Sequence, residues 1–247
     1  MEKNILVPQR LFHFMLRQFS LYKNSTGLAG GALLGILLLP TISMTIFKPE
    51  GLSNLIGFYL ALMFISGLIF TSQVFIELHD PKKSYAYILL PVSNLEKLVG
   101  SWIISGPLYI LGFSMLVFII QLIASLVTAH YENVFGVFSN AYFKAISAYF
   151  ILHSIFFLGA VWFRKNNFLK TVFSIFLFLA SVAVFSVCVF GLFFNGFEKP
   201  NQDFGDHITA GFGYWDLLHS IAKVVVCYML PLFLLVVSYF RLKERQV

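Results

Sequence analysis

The stretch LLPVSNLEKLVGSW, residues 89–102, decides how the rest of the chain is read. It holds a helix start. Pro91 pushes Leu90 toward an extended backbone, and Ser93 stands three residues before Glu96, the S-x-x-E spacing in which each partner satisfies the other's backbone N–H. Leu95, Leu98, Val99 and Trp102 then share one face of the opening helix. Both flanks of this charged, capped start are apolar enough for a bilayer, so it reads as the point where the chain turns back from water into lipid.

Composition supports a membrane setting. Of 247 residues, 59% are hydrophobic and 11% charged, with 30 Phe and a mean hydropathy of +0.84, a balance that a soluble domain of this length would not tolerate. Uncharged blocks run over 28–47 and 52–76, and about 20 helical residues cross a hydrocarbon core of about 30 Å. Further blocks cover 98–129, with a kink expected at Pro107, 145–163, 171–194 and 221–240. Hydrocarbon offers the backbone no partners, and these blocks lack the alternation of porin strands. The fold class is therefore all-α: an integral membrane protein of six transmembrane helices forming a single domain over 1–247.

The basic residues orient it. Lys3, Arg10, Arg17 and Lys23 precede span one, and Lys82, Lys83 and Lys97 follow span two. Arg164, Lys165 and Lys170 follow span four, and Arg241, Lys243 and Arg245 follow span six, which makes 13 of the 17 cations. Only Lys48, Lys144, Lys199 and Lys223 lie on the other side, so the positive-inside rule predicts both termini in the cytosol. The net charge of +6 follows from this bias, and no basic soluble face exists for nucleic acid.

Residues 1–27 read as a cytosolic segment with an interfacial amphipathic helix. At 100° per residue Leu11, Phe12, Met15, Leu16, Phe19 and Tyr22 lie on one side and Arg10, His13, Arg17 and Ser20 on the other, with Phe14 and Leu21 falling on the polar side. It serves either as a membrane anchor or as an elbow that transmits motion from a cytosolic partner. In the first cytosolic loop, HDPKKSYAYILLPVSNLEKL (79–98), Asp80 is expected to cap a short helix with Pro81 in its first position.

At these residues a resemblance enters. Six spans, an amphipathic N-terminal helix and LPVSNLEK (90–97), of the form LP-x-S-x-x-EK, resemble the permease subunits of bacterial ATP-binding-cassette (ABC) exporters of type 2. The resemblance covers nearly the whole chain in topology and about twenty residues in motif. It implies that the first loop couples to a separate ABC ATPase through Asp80, Pro81, Lys82, Lys83, Ser84 and Tyr85, with Ser93, Glu96 and Lys97 completing the loop. It further implies a homo- or heterodimer of permeases in the bacterial inner membrane, with ATP and Mg on the ATPase and no cofactor on this chain. The chain shows no G-x-x-x-x-G-K-[ST] and no H-E-x-x-H or G-x-S-x-G, so it is not expected to be an enzyme. The D-F-G at 203–205 stands without the other kinase loops.

Inside the spans His153, Gln73 and Gln121 are the candidate lining of a translocation path, set against the plainer reading of His153 as a neutral ring bonded to a neighbouring helix. Gly27, Gly31 and Gly35 form a small-residue stripe that would admit another helix, within the subunit or across a dimer. The segment 195–219 is expected outside, with Tyr214, Trp215, Leu217 and Leu218 re-entering the outer leaflet as in the resembled family. Asp206, His207, Asp216 and His219 there are scattered in the way of solvated loop residues rather than of a metal site. Cys188 and Cys227 read as small hydrophobes. The alternative function is a stand-alone secondary transporter or channel, disfavoured because no Asp or Glu lies within an assigned span.

Overall fold

The computed structural model describes residues 6–129, 139–193, 220–221 and 223–244. Among them the chain is helical throughout its regular structure, and six helices are long and apolar enough to cross a membrane: Gly27–Phe47, Pro49–Gln73, Asn94–Thr128, Asn140–Trp162, Asn167–Val189 and Val225–Glu244. The elements are α1 (Pro8–Phe47), a 3₁₀ stretch (Pro49–Asn54), α2 (Leu55–Gln73), α3 (Ile76–His79), α4 (Ser84–Ile88) and α5 (Asn94–Ile103). A π-helical turn (Ile104–Leu108), α6 (Tyr109–Thr128), α7 (Asn140–Trp162), α8 (Asn167–Phe193), a second π turn (Val225–Met229) and α9 (Leu230–Glu244) follow. The expected 195–219 re-entrant segment lies outside the described residues.

The N-terminal segment corrects the expectation of a separate interfacial helix. Residues 8–47 form one helix of 40 residues, about 60 Å long, with no break between the amphipathic part and the first span. Its direction is fixed by contacts at both ends. Thr41 Oγ1 meets the Tyr59 hydroxyl at 2.7 Å and Arg17 Nη1 meets Glu77 Oε2 at 3.0 Å, so α1 runs antiparallel to α2. Arg10 beside Glu96 and Phe14 against Gly100 set α1 parallel to α5. Phe14, which breaks the amphipathic pattern, is buried with Gln18, whereas Phe12, Leu16 and Phe19 of the apolar stripe remain exposed. The helix packs through the side that periodicity marked as polar because its arginines find carboxylates there.

Two apolar clusters hold the bundle. One, built on Leu37, Tyr59, Met63, Phe113, Val117 and Tyr149, joins α1, α2, α6 and α7. The other, at the loop end, joins Phe14, Phe75, Tyr87, Phe157 and Leu242 from α1, the loop, α7 and α9. None of the most apolar window of α8 is buried among the described residues, although Phe168, Thr171 and Ile175 pack toward the bundle. The free Cys188 of α8 is exposed.

The kink expected at Pro107 takes the form of the first π turn. Proline has no N–H and crowds the preceding turn. The Tyr109 N–H reaches Gly106 O, and the Tyr149 hydroxyl supplies a donor to Ser105 O at 3.3 Å. The second π turn lies just ahead of Pro231 in α9.

Candidate functional site

Four segments of the chain meet at one end of the bundle: the start of α1, the 76–97 loop, the α7–α8 junction and the end of α9. This end carries Arg10, Arg17, Lys82, Lys83, Arg164, Lys165, Lys170, Arg241 and Lys243, so the sequence bias in charge corresponds to one face of the fold. Side chain to backbone bonds stitch it together. His79 Nε2 is 2.7 Å from Ala160 O, and Asn167 Nδ2 donates to Ser72 O at 3.3 Å and to Ala160 O at 3.4 Å.

Within the loop, the S-x-x-E pair forms the capping box read from the sequence. Glu96 N–H donates to Ser93 Oγ at 3.2 Å and Ser93 N–H donates to Glu96 Oε2 at 2.8 Å. Its other oxygen does something that local sequence could not reveal. Glu96 Oε1 accepts from Val7 N–H at 2.8 Å and lies 3.4 Å from Arg10 Nη2, so one carboxylate caps the starts of α5 and α1 together. Both helix dipoles point their positive ends at it. Glu77 plays a parallel part, buried and paired with Arg17. Burial raises the pKa of the Tyr22 phenol, with Glu77 adding to the effect, and burial also raises that of Tyr87, so both rings stay neutral.

The structure divides the nine loop residues singled out above. Ser93, Glu96 and Lys97 are buried, with Lys97 only 1% exposed, its Nζ donating to Ile88 O at 3.3 Å and lying 5.2 Å from the Tyr87 ring centroid. They brace the loop from within. Asp80 Oδ1 accepts from Lys82 N–H at 2.9 Å and Asp80 O accepts from Ser84 N–H at 2.8 Å, the bonds of a cap with Pro81 next in line, although the residues 80–83 form a turn and α4 begins at Ser84. Pro81, Lys82, Lys83 and Tyr85 are exposed, with Asp80 and Ser84 partly so. On α4, Tyr87 points inward while Tyr85 and Leu89, one turn apart, are 75% and 80% exposed.

Of the three intramembrane residues proposed to line a path, Gln121 lies far from His153. Gln73 is exposed at the end of α2, beside a small cavity of about 170 Å³ that Gln18 and Tyr22 also line. Gln121 is buried beside Tyr59, 16 residues beyond Ser105 along the third span and therefore about 24 Å away by helical rise. His153 is fully buried, its Nε2 2.9 Å from Ser105 Oγ and its ring among Trp102, Tyr149, Phe150 and Phe157. Because Ser105 Oγ donates its proton to Ser101 O, it accepts from the histidine, so Nε2 carries a proton. The bond to a neighbouring helix is the one the plainer reading expected, and Nδ1 is buried with no hydrogen-bond partner.

Gly27, Gly31 and Gly35 are exposed, and a Cβ at any of them would meet nothing within 4 Å. Among the described residues, none packs against this stripe. Among the described residues no group of three His, Cys, Asp or Glu is placed to hold a metal ion.

These features define a class, a multi-pass helical membrane protein whose cations gather at one end around a short exposed helix. The chain matches no protein-family model, no curated protein and no solved structure.

Proposed function

We propose that the protein is the membrane-spanning subunit of an ATP-driven transporter of the ABC type-2 exporter class, coupled to a separate ATPase through the turn at 80–83 and α4. The observation that carries this reading is the exposed Tyr85 and Leu89 pair standing beside Lys82 and Lys83 on a helix whose other side is fixed by Tyr87. An aromatic and an aliphatic side chain held into water at the basic end are the ingredients of an interface anchor, and neighbouring lysines suit an acidic groove on a partner. The bracing of that helix by Lys97 of α5 and Phe14 of α1 supports a mechanical role, since a push on α4 reaches α1 and α5 through buried contacts rather than through a slack loop.

On this reading, ATP-driven closure of two ATPases moves the loops of two permease copies, and the path between the copies changes its access. Co-expression with an ABC ATPase encoded beside this chain, followed by affinity purification, tests it. The ATPase is expected to co-purify, and Lys82→Glu with Lys83→Glu is expected to reduce the recovered ATPase about tenfold or more, as loss of a steered charge pair would. Full transport by the purified chain alone would instead favour a secondary transporter or channel.

A further inference from the structure

A groove of about 830 Å³ opens at the basic end between α4, the end of α7, the start of α8 and the end of α9. Its polar wall carries Arg164, Lys170 and Arg241 against a single carboxylate, Glu244, an excess of two positive charges among these lining residues. Two of the cations are held in place by rings: Arg241 lies 4.4 Å from the Trp162 ring centroid and Lys170 lies 6.0 Å from that of Phe163. Glu244 accepts from Arg241 Nη1 at 2.7 Å, but Arg241 Nε is buried with no hydrogen-bond partner. Among the described residues no carboxylate lies within ion-pair distance of Arg164 or Lys170.

The depth of these residues identifies the ligand. Trp162 closes the fourth span, Lys170 is the fourth residue of the fifth, and Arg241 is three residues from the end of the sixth. Cations and tryptophan at span ends sit at the headgroup level of a bilayer, and basic pockets between transmembrane helices take anionic lipid heads. On either side of Lys170 along α8, Leu169 and Phe173 are 64% and 59% exposed, an apolar surface against which acyl chains can lie.

We propose that this groove binds the phosphate of an anionic glycerophospholipid, with Arg241 and Arg164 supplying guanidinium donors and Lys170 a point charge. Lipid occupancy would bridge α4 to the ends of α7 and α9. The inference is independent of the transport reading, because it rests on the groove and its depth alone.

Native mass spectrometry of the full-length protein in detergent, with phosphatidylglycerol or phosphatidylcholine added, tests it. Retention of phosphatidylglycerol over phosphatidylcholine is expected, falling about fivefold for each cation removed in Arg164→Gln and Lys170→Gln. The charge-conserving pair Arg164→Lys with Lys170→Arg should retain the lipid, which separates loss of charge from loss of fold. Lys82→Gln with Lys83→Gln removes the same charge at the same end outside the groove and should leave retention unchanged. Equal retention of the two lipids, or an equal loss in the Lys82/Lys83 variant, would overturn the site. Displacement of the lipid by millimolar inorganic phosphate or glycerol phosphate would overturn the lipid as its source.

Discussion

Glu96 shows how much one side chain can organise. A carboxylate in an S-x-x-E spacing is ordinarily a local device, worth its place by satisfying one N–H at the start of its own helix. Here its second oxygen receives the Val7 N–H and faces Arg10, so the entry to α1 is tied to the entry to α5 across 89 residues of sequence. Replacing it removes the acceptor for two backbone donors and the partner of a cation in one step. Glu96→Ala is expected to destabilise the protein by about 2–3 kcal/mol, read as a lowered midpoint of thermal unfolding in detergent. Glu96→Gln keeps one acceptor oxygen and should cost less. The capping box itself was legible in the sequence because it is a spacing of three; the bond to Val7 was not, because nothing local relates the two segments.

At the scale of elements, the crossing of α2, α6 and α7 depends on a small residue that no periodicity singled out. A Cβ on Gly67 would lie 2.5 Å from the Tyr149 hydroxyl and 2.6 Å from the Tyr109 ring. Those two tyrosines are stacked with centroids 6.1 Å apart. Tyr109 OH also donates to Met63 O at 3.1 Å and meets Ser66 Oγ at 2.7 Å, so neither ring can withdraw without losing a buried bond. Gly67→Ala is therefore an overpacking change in a satisfied polar and aromatic layer. The expected cost is about 1–3 kcal/mol, measured by the same thermal midpoint, with loss of the fold's order around the π turn visible as faster hydrogen exchange of α6. The π turn was half legible: Pro107 announced a break in the helix, but the freed Ser105 carbonyl finding the Tyr149 hydroxyl depended on where α7 packs.

For the whole molecule, the stripe of Gly27, Gly31 and Gly35 faces away from every other described part of the chain. Gly31→Ile is thus expected to change the stability of the isolated subunit by less than about 0.5 kcal/mol, checked by thermal unfolding at low protein-to-detergent ratio. The six spans and the gathering of cations at one end were determined by the sequence itself. Both follow from the cost of exposing charge or unpaired backbone to hydrocarbon, a cost that each segment meets on its own whatever its neighbours. The tertiary structure alone decided which face of the N-terminal segment turns inward, that it continues into the first span, and that Ser93, Glu96 and Lys97 brace the loop instead of covering it. It also decided that His153 and Gln121 stand apart. Those outcomes depend on which distant side chain arrives opposite, Glu77 before Arg17 and Gly100 before Phe14, and pairings of that kind are set by helix packing, which periodicity within one segment cannot express.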